Sequence, residues 1–130
     1  MKMTQVQLND LASIIIGAAI EVHKQTGPGL LESVYEACLM EELRIRGLKA
    51  EQQVKLPIFY KGKKLEKYFI IDILVENEII IELKCVQEIF PIHEAQVVTY
   101  LKLGNKRLGY LMNFNVTQLL RGVKRKVNNF

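Results

Sequence analysis

Asp72, Glu82 and Lys84 are the residues around which a reaction could be built. Asp72 lies in Ile71-Asp72-Ile73, and the other two in Ile81-Glu82-Leu83-Lys84. Side chains alternate faces along a strand, so Glu82 and Lys84 share one face. The face taken by Asp72 depends on the loop between the strands. A three-residue loop, Glu76 to Glu78, pairs Val75 with Ile79 and carries Asp72 to the position facing Glu82. A two-residue loop would send Asp72 to the other face. The odd-length loop is the expectation. Two carboxylates side by side among Ile, Leu and Val raise one another's pKa unless a cation intervenes. A divalent metal is the natural cation, and hard oxygen ligands select Mg²⁺ or Mn²⁺ over zinc. Lys84 would then orient or activate a water, or stabilise charge developing on a phosphate. The bland alternative is a surface salt bridge, with Lys84 pairing Glu82 or Asp72. The E-x-K spacing alone occurs by chance in many chains.

Two further polar pairs stand at helical spacing. Glu32 and Glu36 are four apart, as are Gln96 and Tyr100, so each pair shares a helix face. His23 and His93 fit no zinc signature. His23 is expected to hydrogen-bond near the turn Gly27-Pro28-Gly29, and His93 to cap a helix or lie near a phosphate path. That turn lacks the G-K-[ST] ending of a phosphate loop and follows a helix, so it reads as a helix-to-helix connection. Cys85 follows Lys84 and points to the opposite sheet face, as a packed thiol would.

The elements that must position these residues are legible from periodicity. Leu8, Leu11, Ile15, Ala19 and Val22 recur at gaps of three and four and predict a first helix. A second helix is predicted over 31–46, with Leu31, Val34, Cys38 and Leu39 on its buried side and Gly47 after its end. From Glu51 the period changes to that of strands. Pro57 marks an edge or bulge, and Lys61-Gly62-Lys63 a turn. Strands are predicted over 67–75, 79–84 and 108–114, and a third helix over 92–103. Val116 to Val127 reads as a basic terminal helix. One helical crossover between strands implies a mixed sheet with helices on its faces.

The chain has 130 residues, 49% of them hydrophobic, enough for a core and too few for two domains. Eighteen basic against fourteen acidic residues give a net charge of +4, which permits a polyanionic partner without requiring one. The basic residues gather in two runs, Lys61, Lys63, Lys64 and Lys67, then Arg121, Lys124, Arg125 and Lys126. Each run is either a solvated face or a phosphate track. If both lie beside the carboxylates, duplex or structured DNA is the expected ligand. No strand shows an aromatic stacking platform in the sequence, so specific single-strand reading finds no support there. Two cysteines 47 positions apart form no disulfide framework. A reduced, cytoplasmic chain without a membrane span or signal peptide is the expectation.

The run Gly27-Pro28-Gly29-Leu30-Leu31-Glu32-Ser33-Val34-Tyr35 does not stand alone. With Asp72, Glu82-Leu83-Lys84, His93 and Gln96, Tyr100-Leu101 and Asn113-Phe114, it resembles the PD-(D/E)XK nuclease superfamily. Within that superfamily the chain looks like the GxxExxY family, over about Ile14 to Lys126. The resemblance implies an α/β (α+β) mixed-sheet fold in one domain, 1–130. Its restriction-endonuclease-like αβββαβ core would carry an extra N-terminal helix and the basic C-terminal helix. It implies Asp72 and Glu82 as ligands of Mg²⁺ or Mn²⁺ and Lys84 as the catalytic lysine. The first core helix would add Glu32 or Glu36, with Glu32, the motif residue, ranked ahead. Gln96 and Tyr100 resemble the Q-x-x-x-Y helix that positions substrate and lysine in recombination-type nucleases. Gly27, Gly29 and Tyr35 would be structural. The proline of the superfamily's name is absent, since Ile71 precedes Asp72. The implied activity is metal-assisted hydrolysis of DNA phosphodiesters, with a homodimer as an allowed assembly. Two readings compete with it: a nucleic-acid-binding or assembly module of little or no activity on the same fold, and a structural protein whose carboxylates form salt bridges.

Overall fold

A computed structural model describes residues 2–130. Helix α1 (Gln5–Thr26) begins at Thr4, whose hydroxyl accepts the Gln7 N–H at 3.1 Å while the Gln7 side chain accepts the Thr4 N–H at 2.9 Å. Its buried stripe includes Leu8, Leu11, Ile15, Ala19 and Val22, the residues the periodicity selects. Gly27 (φ 68°) and Gly29 (φ 99°) then turn the chain through backbone conformations that favour glycine. The Tyr35 hydroxyl clamps this turn. It donates to the Gly27 carbonyl at 2.5 Å and accepts the Leu30 N–H at 3.2 Å.

Helix α2 (Glu32–Ile45) is rotated relative to the sequence expectation. Tyr35, Leu39 and Leu43 are buried, whereas Leu31 and Val34 are exposed and Cys38 is half-buried. The cause is long-range. The Tyr35 ring stacks on Phe114, centroids 4.6 Å apart, and its hydroxyl needs the Gly27 carbonyl. Positions 32, 35, 36 and 39 share a helix face, so the rotation brings Glu32 and Glu36 to the side that meets the sheet.

Five strands follow in sheet order β1-β2-β3-β4-β5. They are β1 (Ala50–Tyr60), β2 (Lys63–Val75), β3 (Ile79–Lys84), β4 (Leu108–Asn113) and β5 (Val123–Val127), with α3 (Pro91–Gly104) between β3 and β4. Among the described residues only β3 and β4 pair in parallel, as the helical crossover requires. The run α2-β1-β2-β3-α3-β4 is the expected αβββαβ core. Ile79, Ile81 and Leu83 of β3 pack under α1 and α2, while Ile80 faces α3 with Tyr100 and Leu101.

The basic terminal helix is not formed. Residues 119–122 make a short 3₁₀ turn, and Val123–Val127 is an antiparallel edge strand on β4. Val116, Leu119, Leu120 and Val123 fit a helical period, but Val123-Lys124-Arg125-Lys126-Val127 fits an alternating one equally well. The free edge of β4 decides for the strand. The consequence is chemical. Lys126 meets Glu94 of α3 at 2.6 Å, whereas Arg125 turns to the other face, toward Tyr110 and Asn9 of α1. The terminal basic residues are thus divided between two sheet faces.

One irregularity matters for the site. The β1–β2 register pairs Gln52 with Ile73 and Val54 with Ile71, but Gln53 and Asp72 between them form no regular pair. Gln53 is left-handed, at φ 53°. Before this break Ile73 and Val75 face the α1–α2 core, and after it Ile71 and Phe69 pack toward α3. The β1–β2 hairpin therefore kinks at Asp72, and residues 54–71 form an arm beyond the last β2–β3 pair.

Candidate active site

The β2–β3 loop is Glu76-Asn77-Glu78, with Glu76 and Asn77 at φ 51° and 56°. Lys106 holds it by donating to the Asn77 carbonyl and side-chain oxygens at 2.9 and 3.2 Å. Val75 pairs with Ile79 and Ile73 with Ile81, the register expected of an odd-length loop. The next facing pair is Asp72 and Glu82, and here side chains replace the ladder. The Asp72 N–H donates to Glu82 Oε1 at 3.3 Å, and the Leu83 N–H donates to Asp72 Oδ2 at 2.8 Å. The carboxylates are thus bound to the backbone at the kink opposite Gln53.

Glu82 is 8% exposed. Burial, then a proton shared with the Asp72 carboxyl, then the Asp72 charge push its pKa up to about 10, and Lys84 opposes them. Glu32 is also raised, by burial and by Asp72, against the pull of Lys84. Glu36 is raised by burial, with Asp72 and Glu32 adding to it. Its hydrogen bond from the Gln53 amide, 2.8 Å, acts the other way. Burial raises the Tyr100 hydroxyl, followed by the charges of Glu82 and Asp72. These mutual influences gather Asp72, Glu82, Lys84, Glu32, Glu36 and Tyr100 at one end of the sheet, beneath the start of α2 and beside α3. Among the described residues the salt bridges are Arg44–Glu41, Arg46–Glu42 and Lys126–Glu94. The bland pairing of Lys84 with Glu82 or Asp72 is absent from that set.

The donor set is chemically suited to a hard divalent cation. It offers carboxylate oxygens without sulfur or imidazole, with Glu82 buried beside a half-buried Asp72, so that ionising both calls for a cation. Among the described residues no three acidic, His or Cys side chains already stand at ligand distance from a common point. Asp72 and Glu82 are the close pair, and Glu32 is the third carboxylate that both Asp72 and Lys84 influence.

Gln96 lies one turn before Tyr100 on α3, exposed to solvent. Lys61, Lys63, Lys64 and Lys67 lie on the arm at one side of the sheet, and Lys124, Arg125 and Lys126 on β5 at the other, with Arg121 just before it. The two runs therefore do not converge beside the carboxylates. His23 bonds the Val116 carbonyl through Nε2 at 2.8 Å, while its own carbonyl accepts the Gly27 N–H at 2.7 Å, so it meets the turn through its backbone and not through its ring. His93 Nδ1 accepts the Phe90 N–H at 3.0 Å and caps α3, as expected. Cys85 packs against the α1–α2 core.

Two supporting residues have no role assigned from the sequence, although Asn113 stands in the Asn113-Phe114 pair on which the family resemblance draws. Gln53 joins the kink to Glu36, and only the folded hairpin reveals it. Asn113, 3% exposed, accepts the Val86 N–H at 3.1 Å and donates to the Val86 carbonyl at 2.8 Å. It thereby secures the chain leaving Lys84, which is its own register partner.

A family model described as the PD-(D/E)XK nuclease superfamily matches residues 9–126. No curated protein and no solved structure gives a significant match.

Proposed function

The chain belongs to the PD-(D/E)XK nuclease superfamily, and from that premise we propose a Mg²⁺- or Mn²⁺-dependent nuclease of the GxxExxY type, acting on DNA as one domain over residues 1–130. The observation that carries the reading is the register that sets Asp72 against Glu82, with Lys84 two residues along the same strand. Asp72 and Glu82 would hold the cation, with Glu32 as the third oxygen donor. The bound cation supplies Lewis acidity at the scissile phosphate and a lowered pKa for its water.

The remaining work falls to the protein. Asp72 and Glu82 are held by backbone N–H groups, so their orientation is set before substrate arrives. Lys84 shares the Glu82 face and carries an ammonium that offsets charge growing on the phosphate oxygens, or orients the attacking water. Tyr100, close enough to feel both carboxylates, offers a hydroxyl to position substrate or lysine, and Gln96 extends that helix face toward solvent. The Tyr35 clamp on Gly27 and Leu30 fixes the start of α2 and hence Glu32.

A cytoplasmic setting fits two free cysteines and the finding that no helix among the described residues is long and apolar enough to cross a membrane. A homodimer remains part of the proposal and is read directly by sedimentation.

The test is cleavage of duplex, branched and single-stranded DNA by purified protein in Mg²⁺ or Mn²⁺. Wild type cleaves at least one form, and Asp72→Asn or Lys84→Ala loses about a hundredfold or more while retaining its circular dichroism. Absence of cleavage under every condition overturns the reading. One rival is a binding or assembly module without turnover on the same fold. That rival predicts salt-dependent DNA binding with no metal-dependent product.

A further inference from the structure

The arm (residues 54–71) has two unlike faces. Leu56 pairs with Phe69, and both turn inward, Phe69 meeting the Tyr100 ring at 5.2 Å between centroids. Cross-strand partners share a face. The opposite face is therefore built from the pairs Lys55 with Ile70, Pro57 with Tyr68 and, past the irregularity, Phe59 with Lys64. Phe59 is 58% exposed and Tyr68 46%, and Lys55 Nζ stands 4.8 Å from the Tyr68 ring centre. With Ile70 also 42% exposed, this face is open to solvent among the described residues.

Its charge is as uneven as its burial. Between Val54 and Ile71 there are five lysines and one glutamate, a surplus of four. That equals the net charge of the whole chain, so the rest carries thirteen basic and thirteen acidic residues. A polyanion is the complementary partner. The residue types then discriminate between forms of it. The arm contains no Arg, Asn, Gln, Ser or Thr, so beside its lysines only Glu66 belongs to the side chains that commonly read base edges in a duplex groove. It offers instead exposed rings beside ammonium groups, the combination that stacks unpaired bases and follows their backbone. Ile70 lies two residues, roughly 7 Å of strand, before Asp72, so this face ends at the kink where Asp72 meets Glu82 and Gln53 meets Glu36.

We propose that the outer face of the β1–β2 arm, through Phe59 and Tyr68 with Lys55 and Lys64, holds a single-stranded stretch of DNA and delivers it to the Asp72–Glu82 end of the sheet. This rests on the nuclease reading above and narrows its substrate to DNA with unpaired bases, bound without regard to sequence. No single strand carries such a platform in the sequence; the register sets Tyr68 opposite Pro57, two positions from Phe59, so the two rings come from different strands.

The test is fluorescence anisotropy in EDTA, so that binding is read without cleavage. The probes are a labelled oligothymidylate of about 20 nucleotides, longer than a typical strand-binding footprint, and a duplex of the same length. Wild type binds the oligothymidylate more tightly than the duplex. Tyr68→Ala and Phe59→Ala each weaken it about five- to a hundredfold, while Tyr68→Phe keeps the affinity. Both positions are exposed, and circular dichroism checks that the variants fold. Equal or tighter binding of duplex, unchanged by Tyr68→Ala, overturns the proposal. So does a wild-type dimer in sedimentation that Tyr68→Ala dissolves, since the face then belongs to a second copy. Strand binding by the arm together with no cleavage of any DNA defeats the nuclease reading and leaves the binding face standing. Duplex cleavage indifferent to Tyr68→Ala does the reverse.

Discussion

Without a cation, Glu82 at neutral pH is a carboxylic acid. Its pKa near 10, against an ordinary 4.5, makes the folded chain bind a proton that the unfolded chain releases. Between those values the native state holds more protons, so stability falls as pH rises. Glu32 and Glu36 are raised as well and act in the same direction. In EDTA the free energy of unfolding is expected to fall from pH 5 to pH 9, by no more than about 1.4 kcal/mol per pH unit for each such proton, and the thermal midpoint to fall with it. Glu82→Gln keeps an oxygen to accept the Asp72 N–H but has no proton to lose, so its profile is flatter and it is the more stable protein at pH 9. Mg²⁺ raises the wild-type midpoint and leaves that of Glu82→Gln nearly unmoved. Parallel pH profiles for the two proteins would contradict this account of Glu82. The residue is thus costly to the apo fold and useful only with a cation, a division common at sites of function.

At the scale of elements, the junction of β4 with the final strand supports the site from behind. Gly122 lies so close to Asn113 that a Cβ built there would stand 2.2 Å from the Asn113 carbonyl oxygen, a backbone atom with no room to move. Asn113 in turn holds Val86, just beyond Lys84. Gly122→Ala is therefore expected to destabilise by about 3 kcal/mol in urea unfolding. A loss below about 0.5 kcal/mol would show that the junction yields freely. Gly27 and Gly29 are open to solvent on the Cβ side, and there the demand is conformational. The same logic separates α1 from β5. The stripe of α1 is complete within its own residues, whereas Val123–Val127 satisfies two periods and takes its form from the β4 edge. The fold subdivides accordingly into elements with self-sufficient patterns and elements that borrow a partner.

Across the whole molecule, charge is segregated. The arm holds the entire net surplus, while on β5 Lys126 is paired with Glu94 and Arg125 bonds Asn9 and Tyr110. DNA affinity should therefore weaken with salt through the arm. Replacing Lys61, Lys63 and Lys64 together by Ala is expected to reduce the slope of log K against log salt by about 2 for a single strand, since each phosphate contact contributes about 0.7. Replacing Lys124 and Lys126 leaves that slope nearly unchanged. Anisotropy titrations at several NaCl concentrations measure both, and an equal effect from the two sets would place the phosphate path elsewhere.

Much of the site was already legible along the chain. The alternation of Ile and Val around Asp72 and Glu82, with an odd number of loop residues, determined that the two carboxylates face one another, because strand register is local arithmetic once one face is buried. The buried stripe of α1, the order of elements as far as β4 and the glycine turn before α2 were local too. Three matters awaited tertiary structure. The rotation of α2 depends on Phe114, 79 positions away from Tyr35. The terminal strand depends on a free edge supplied by β4. The kink at Gln53 depends on Glu36 and on the divergence of β2 from β3. In each case the deciding partner is remote in sequence, and its contribution exists only after the chain has closed the loop between them.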